Sequence, residues 1–188
     1  FHNQKYMKKI LLSIIILFSA DFKAISHVDH YVNFNYLEYE LFRNNKPIGY
    51  HKYEFNRKKE ILSVNSEISF KIKKLGVEIY KYYAESEETY KNDQLIKFSA
   101  KTNQNNKKKY VNILFNKEDD DFLIDGSSYK GKASKNSIVG TWWNHQIVEA
   151  KEQISAVSGR LIPQTVTFIG KEEIKLGDKV YKTLHFNF

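Results

Sequence analysis

The sequence predicts an all-β, mainly antiparallel domain, built as a curved meander sheet or an open barrel with one short helix packed on or in it. Two observations lead to this fold class. Apolar and polar residues alternate with a period of two over most of the chain, which is the pattern of strands with one buried and one solvated face. Short polar turn sequences separate these runs, and links of this length join antiparallel hairpins rather than parallel crossovers.

The strands are predicted from residues of one parity. In chain order these are Leu37, Tyr39 and Leu41; Tyr53 and Phe55; Leu62, Val64, Ile68, Phe70 and Ile72; Ile96, Phe98 and Ala100; Val111, Ile113 and Phe115; and Val180, Leu184, Phe186 and Phe188. Polar turn sequences at 44–49, 91–94, 103–106 and 176–178 predict hairpin links. Two further strands are expected, one near Gln153 and one from Leu161 to Glu173.

One segment departs from the period of two and predicts a short helix. Residues 141–149 follow Gly140 and begin with Thr141 as a candidate N-cap. Adjacent residues of a helix point about 100° apart, so Trp142 and Trp143 would face different surroundings. We expect one tryptophan to pack on the sheet and the other to line a cavity or stack on a ligand.

Length and composition limit the function classes. The 188 residues favour one domain, and thirteen tyrosines and thirteen phenylalanines supply its core. The chain has no cysteine, which excludes disulfides and thiolate chemistry. A net charge of +8 is typical of a solvated basic surface and also suits anionic lipid or polysaccharide. After the N-terminal segment no apolar stretch reaches membrane-spanning length, so we expect no transmembrane helix in the mature chain.

The N-terminal residues have the pattern of a bacterial signal peptide. Lys8 and Lys9 follow Met7, an apolar stretch runs over 10–18, and small residues precede a cleavage site near Ser26. We therefore expect upstream read-through at 1–6, a signal peptide at 7–26 and a single β domain at 27–188. Because the last alternating run is still in progress at Phe188, we expect the chain to be truncated there. These features predict a periplasmic protein, with the outer membrane as the alternative location and an uncleaved anchor as the alternative reading of the leader.

Several short motifs resemble one family. They are a strand centred on Tyr39, the run Lys46-Pro47-Ile48-Gly49-x-His51, the pair Trp143-Asn144, and Ser158-Gly159-Arg160-Leu161-Ile162-Pro163. From about Tyr36 onward the chain resembles the exported bacterial family catalogued as domain of unknown function 6134. His145 stands where members often have proline after the Trp-Asn pair. The resemblance implies export and a β fold without implying a reaction, and in outline the fold is similar to the curved sheets of periplasmic lipoprotein carriers.

The histidines and carboxylates form no motif that identifies an enzyme. His27-Val28-Asp29-His30 resembles a small metal-binding amino terminus, although a flexible new terminus is the favoured interpretation. The spacing of His51, His145 and His185 fits no metal-binding motif, and no nucleophile elbow or phosphate-binding glycine loop occurs. The pairs Glu38/Glu40 and Glu87/Glu88 invite a glycosidase reading, but exposed carboxylates are usually surface groups. We therefore expect no catalytic residue, no metal and no cofactor.

The candidate ligand-binding residues are aromatic, together with one histidine: His51, Tyr53, Tyr82, Trp142 and Trp143. His51 shares the parity of Tyr53 and therefore the presumed apolar face. Three readings stay open for it: a core histidine bonded to a backbone or tyrosine group, a polar group in a ligand cavity, and a catalytic base.

These features favour a non-enzymatic periplasmic module that binds an apolar or amphipathic envelope ligand, such as a lipid, or an envelope protein partner in the concavity of its sheet. One alternative is a small outer-membrane β-barrel, because the run that ends at Phe188 alternates as barrel strands do. A second alternative is a cell-envelope hydrolase, which depends on His51 and scattered carboxylates. Export removes nucleic acid as a partner, and the sequence does not indicate an oligomeric state.

Overall fold

The computed structural model describes residues 31–188. The predicted read-through segment and signal peptide lie outside the described residues. Among the described residues the first eight strands form one sheet: β1 (Tyr36–Arg43), β2 (Lys46–Lys58), β3 (Ile61–Lys74), β4 (Val77–Lys91), β5 (Gln94–Gln104), β6 (Lys107–Asn116), β7 (Asp121–Gly126) and β8 (Lys130–Ser134).

This sheet is an antiparallel meander. Each strand pairs with its neighbour in sequence, so the order in space is the order in the chain. Among the described strands β1 and β8 are the two edges, and the sheet does not close into a barrel. The predicted antiparallel fold is confirmed. The alternating runs from 37 to 115 are the cause, because polar turns bring each strand straight back beside the previous one.

The two faces of the sheet follow the sequence parity. On the packed face lie side chains such as Tyr53, Val64 and Phe98, each almost fully buried. On the outer face, the row Lys52, Glu67, Glu85 and Lys101 crosses the sheet through directly paired positions. The packed face therefore holds the core, and the outer face is polar.

A cover segment, residues 138–163, lies over part of the packed face. It contains β9 (Ile138–Val139), a short 3-10 helix (His145–Val148), β10 (Glu152–Ile154) and β11 (Leu161–Pro163). The three short strands form their own small sheet. Val139, Trp143 and Ile154 of the cover segment are buried in the same cluster as the core of the large sheet.

The helical turn in the cover segment is shorter than predicted. Its N-cap is Asn144, whose side chain accepts a hydrogen bond from the Gln146 N–H, and not Thr141. Thr141, Trp142 and Trp143 precede the helix, and Trp142 has a left-handed backbone with φ of 68°. The prediction of a short helix is confirmed, while its proposed start is wrong because Asn144 provides the better-placed cap.

The last two strands, β12 (Thr167–Leu176) and β13 (Lys179–Asn187), form a separate hairpin. The predicted strand from Leu161 to Glu173 is thus divided, since β11 ends at Pro163 and β12 begins at Thr167. Aromatic contacts connect this hairpin to the cover segment, with ring centroids 5.7 Å apart for Trp142 and Phe188. Between residues 31 and 188, the structure has no helix that is long and apolar enough to cross a membrane.

Candidate functional site

The packed face divides into two halves. The covered half lies beneath the cover segment, and its main members are Phe55, Leu62, Val64, Glu88, Tyr90, Phe98, Val111 and Ile113, all buried. The open half continues the same strands toward the β1–β2 and β3–β4 turns. Its members are Tyr39, Leu41, Gly49, His51, Ile68, Phe70, Ile72, Tyr80, Tyr82, Ala84 and Gln104, which are half-buried or exposed.

Stacked aromatic rings form the centre of the open half. The ring of Phe70 stacks on Tyr82 with centroids 5.1 Å apart and on Tyr80 with centroids 5.8 Å apart. Gly49 of β2 pairs directly with Phe70. A Cβ atom at position 49 would lie 2.0 Å from the carbonyl oxygen of Ser69. Only glycine therefore allows this close approach of β2 to β3, which explains the glycine in the motif that follows Pro47.

A cleft of about 240 Å³ lies where the open half meets the cover segment. The strands β2 to β5 supply one wall, and residues 140–142 with Ala156 and Val157 supply the other. The wall formed by the sheet consists of His51, Ser66, Ile68, Phe70, Tyr80, Tyr82, Ala84, Glu85, Ser86 and Ala100. The cleft is therefore mainly apolar and aromatic, with a few polar groups.

Trp142 borders this cleft in a strained conformation. Its φ of 68° lies in the left-handed region, where a bulky residue is an outlier. Its side chain is 63% exposed. Folding alone favours neither the backbone conformation nor the exposure, and strained residues of this kind cluster at functional sites.

Trp143 points the other way, into the covered half, and is 3% exposed. Its ring packs edge-on against Phe55 and Tyr90, with centroids 5.5 and 5.6 Å away. Its Nε1–H donates a hydrogen bond of 2.8 Å to Oε1 of Glu88. The two tryptophans therefore diverge as expected, one into the core and one beside the cleft, although a strained backbone rather than a helix separates them.

Glu88 is a carboxyl group buried in the core and is not the surface group that the sequence predicts. The hydroxyl of Tyr90 donates to its Oε2 at 2.6 Å. Burial raises the pKa of Glu88 to about 7, and the donors Tyr90 and Trp143 partly offset that rise. The hydroxyl of Thr141 faces the same carboxyl group. Like Tyr90 and Trp143, it offsets part of the rise in the pKa of Glu88.

His51 belongs to a hydrogen-bonded chain at the base of the cleft. The hydroxyl of Tyr53 donates its proton to the carbonyl of Thr141 at 2.7 Å. The Tyr53 oxygen, 3.3 Å from Nδ1 of His51, can then only accept, which places the imidazole proton on Nδ1. Nε2 of His51 in turn accepts from the hydroxyl of Ser66 at 3.0 Å. Burial lowers the pKa of His51 to about 4, so the ring is neutral at physiological pH.

The model for the family described as domain of unknown function 6134 matches residues 39–188. The chain belongs to this family. The match begins in β1 and includes the rest of the main sheet, the cover segment and the β12–β13 hairpin. No curated protein and no solved structure matches the chain.

In this member of the domain of unknown function 6134 family, three of the five predicted ligand-binding residues line one cleft: His51, Tyr82 and Trp142. Tyr53 lies behind them, bonded to His51. Trp143 lies in the core. The structure therefore brings together residues from β2, β4 and the cover segment that are far apart in the sequence.

The carboxylates that invited a glycosidase reading do not converge on this cleft. Glu38 and Glu40 are exposed on the outer face, and Glu87 is exposed while Glu88 is buried. Parity was the signal that could have identified Glu88, because it shares the face of Tyr90 and Ala84. In the part of the chain that the structure describes, no group of three or more His, Cys, Asp or Glu residues could hold a metal ion.

Proposed function

We propose that this protein is a non-enzymatic binding module of the bacterial envelope that holds an apolar or amphipathic small molecule in the cleft of the open half. The observation that carries the proposal is an aromatic, partly exposed sheet face beside a strained and exposed tryptophan. A monomeric soluble domain rarely leaves such a patch uncovered without a binding role.

The cleft is large enough to hold a part of a ligand but too small to enclose a whole drug-sized molecule. Its volume of about 240 Å³ is below the roughly 300–1,000 Å³ of sites that enclose a drug-sized molecule. One chain or ring of an amphiphile would fill it, and the remainder would lie along Phe70, Tyr80 and Tyr39. Each Å² of apolar surface removed from water contributes about 25 cal/mol, so this contact would supply most of the affinity.

The polar groups of the cleft support binding rather than catalysis. Both ring nitrogens of His51 are engaged, and the hydroxyl proton of Tyr53 is donated to a backbone carbonyl. Burial also lowers the pKa of His51 to about 4, which makes the ring a weak base at physiological pH. Among the described lining residues there is no lysine or arginine, and Glu85 belongs to the outer row of the sheet, which favours an apolar part of the ligand in the cleft.

The proposed location outside the cytoplasm is supported by the leader sequence alone. Lys8 and Lys9 before a short apolar stretch are the features that direct export. The absence of cysteine from the sequence is compatible with an oxidising compartment. In that compartment, envelope lipids and other amphiphiles are the abundant ligands of the proposed class.

A cleft-filling variant tests the proposal. Ala84 lines the cleft on β4, so Ala84→Phe would occupy the space of the ligand. The matched control is Ser99→Phe, which adds the same ring on the outer face. Native mass spectrometry of the full chain, before and after addition of a fatty acid, would measure the bound fraction.

We expect the wild type and Ser99→Phe to bind the fatty acid and Ala84→Phe to lose at least about tenfold in affinity, the equivalent of one buried apolar side chain. Equal binding by the wild type and Ala84→Phe, with both variants folded, would place any ligand elsewhere. Absence of binding by the wild type would reject the proposal for this ligand class.

A further inference from the structure

The β3–β4 hairpin continues beyond its pairing with β2 and β5 at one end of the sheet. The two strands pair out to Lys74 and Val77. The pairing of β2 with β3 stops at Phe70, and the pairing of β5 with β4 stops at Tyr82. About four residues of each strand therefore continue past this pairing, on the order of 13 Å at the usual rise of a strand.

The part beyond this pairing, residues 71–81, ends in exposed apolar side chains. Leu75 is 96% exposed at the turn, and Val77 and Ile79 beside it are also exposed. An apolar side chain at the end of this hairpin has no role in the core. We call residues 71–81 the tip.

The turn of the tip differs from the other two-residue turns with left-handed backbones. Asn44-Asn45, Asn92-Asp93 and Asn105-Asn106 have positive φ at both positions, and asparagine and aspartate tolerate that conformation. In the tip, Leu75 with φ of 51° precedes Gly76 with φ of 81°. Leucine is unfavourable there both for the backbone and for its contact with water. Neither local folding preference explains Leu75, which points to a function for its side chain.

Basic residues surround the tip. Residues 71–81 contain four lysines and one glutamate, and that Glu78 pairs with Lys71 at 3.1 Å. The turns at the same end of the sheet add further cations, namely Arg43, Lys46, Lys107 and Lys108. The turns and strand ends at the opposite end hold both signs, with Lys58, Lys59, Lys91 and Lys117 beside Glu60, Asp93, Glu118, Asp119 and Asp120. The net positive charge is therefore concentrated at the end that carries the exposed apolar side chains.

We propose that the tip docks on a membrane that contains anionic lipid, with Leu75, Val77 and Ile79 inserted among the headgroups and the lysines on the lipid phosphates. An apolar insertion flanked by lysines is the combination by which proteins bind anionic membrane interfaces. The row Ile72 and Tyr80 joins the tip to the open half, so this docking brings the cleft close to the bilayer. The inserted side chains Leu75, Val77 and Ile79 do not line the cleft, so docking is tested separately from ligand binding.

Vesicle flotation of the full chain tests this docking. One set of vesicles is phosphatidylcholine alone, and the other is equimolar phosphatidylcholine and phosphatidylglycerol. The decisive variant is Leu75→Asn, because asparagine suits the left-handed turn and removes the apolar side chain. The matched control is Leu114→Asn, which changes a leucine that is 53% exposed on β6, away from the tip.

We expect the wild type to float with the phosphatidylglycerol vesicles and not with phosphatidylcholine alone. Leu75→Asn should lower the affinity about tenfold, the equivalent of one leucine side chain leaving an apolar environment, with a melting temperature equal to or above that of the wild type. Leu114→Asn should bind vesicles as the wild type does. Ala84→Phe should also bind them unchanged, which separates a failure of docking from a failure of the cleft.

Two results would overturn the inference. One is a wild type that does not float with phosphatidylglycerol vesicles. The other is a Leu75→Asn variant that floats as well as the wild type, with binding abolished by salt in both proteins. The second result would mean that the lysines alone bind anions, as they would on an acidic protein, and that no side chain inserts.

Discussion

The covered and open halves of the packed face are built from the same strands but end in different states. On β4, Glu88 and Tyr90 are buried, whereas Tyr80 and Tyr82, nearer the start of the same strand, are only half-buried. On β3, Val64 is buried and Phe70 is half-buried. The alternation is the same in both places, so the difference lies in what covers the face. The chain covers one half with residues 138–163, and we infer that a ligand covers the other.

The covered half contributes mainly to stability, and the open half is the proposed binding surface. In the covered half, burial and the hydrogen bonds of Glu88 serve the fold. In the open half, Trp142 is exposed and strained, which costs stability. Substitutions in the two halves should therefore differ in which property they change.

The largest expected effect is on the covered half. Trp143→Ala removes a buried ring and a donor to Glu88, so the free energy of unfolding should fall by about 4 kcal/mol. Urea unfolding measures it. Trp142→Ala, one residue earlier, is the matched control and should change the free energy of unfolding by less than about 1 kcal/mol. Equal losses in the two variants would contradict the division of the face.

Glu88 gives the next effect, through pH. Its pKa is raised from 4.5 to about 7 in the folded protein, so the folded state holds a proton that the unfolded state releases between these values. This proton stabilises the folded state fully below pH 4.5, and the stabilisation is lost as the pH rises to about 7. The total loss in the free energy of unfolding is about 3 kcal/mol. Glu88→Gln should lack this loss. Its stability relative to the wild type should therefore be greater at pH 8 than at pH 5.

The pH experiment needs His51 as a separate variant. Burial lowers the pKa of His51 from 6.5 to about 4, so its contribution to stability is lost as the pH falls through this range. The two groups therefore act in opposite directions between pH 4.5 and 6.5. His51→Gln should steepen the loss of stability with rising pH, and Glu88→Gln should reverse the trend. A pH profile unchanged in Glu88→Gln would show that the carboxyl group is not held protonated.

The smallest effect on stability is expected at Trp142, and it should be a gain. Glycine adopts the left-handed conformation without strain, so Trp142→Gly should raise the free energy of unfolding by about 1 kcal/mol. The same variant removes a wall of the cleft and should weaken binding of a fatty acid. Thermal unfolding together with a binding titration measures both. A variant that loses stability and keeps its affinity would contradict a binding role for Trp142.

The large sheet was predictable where its strands are long and regular. The run from Leu62 to Ile72 alternates with Ser66 as its one polar exception, and parity placed His51 with Tyr53 on the buried face. Both hold because one face of an antiparallel strand must be apolar when the other is wet. The strands β7 and β8 were not predicted, since they are short and one is joined to the charged turn at 117–120.

The candidate site was only partly predictable. An aromatic site with His51, Tyr82 and Trp142 could be proposed from the sequence, because unusual residues stand out against the alternation. The part of the sheet that the cover segment occupies depends on tertiary packing, which local patterns do not encode. For the same reason the sequence did not separate Trp143 as a core residue, and it left Glu88 among the surface carboxylates.

Ligand binding in the open half can be measured by tryptophan fluorescence during titration with a bromine-labelled fatty acid, because bromine quenches only nearby rings. The chain has two tryptophans, one beside the cleft and one in the core. We predict saturable quenching in the wild type and none in Trp142→Phe, whose emission comes from Trp143. Absence of saturable quenching in the wild type, or equal quenching in both proteins, would contradict a ligand in this cleft.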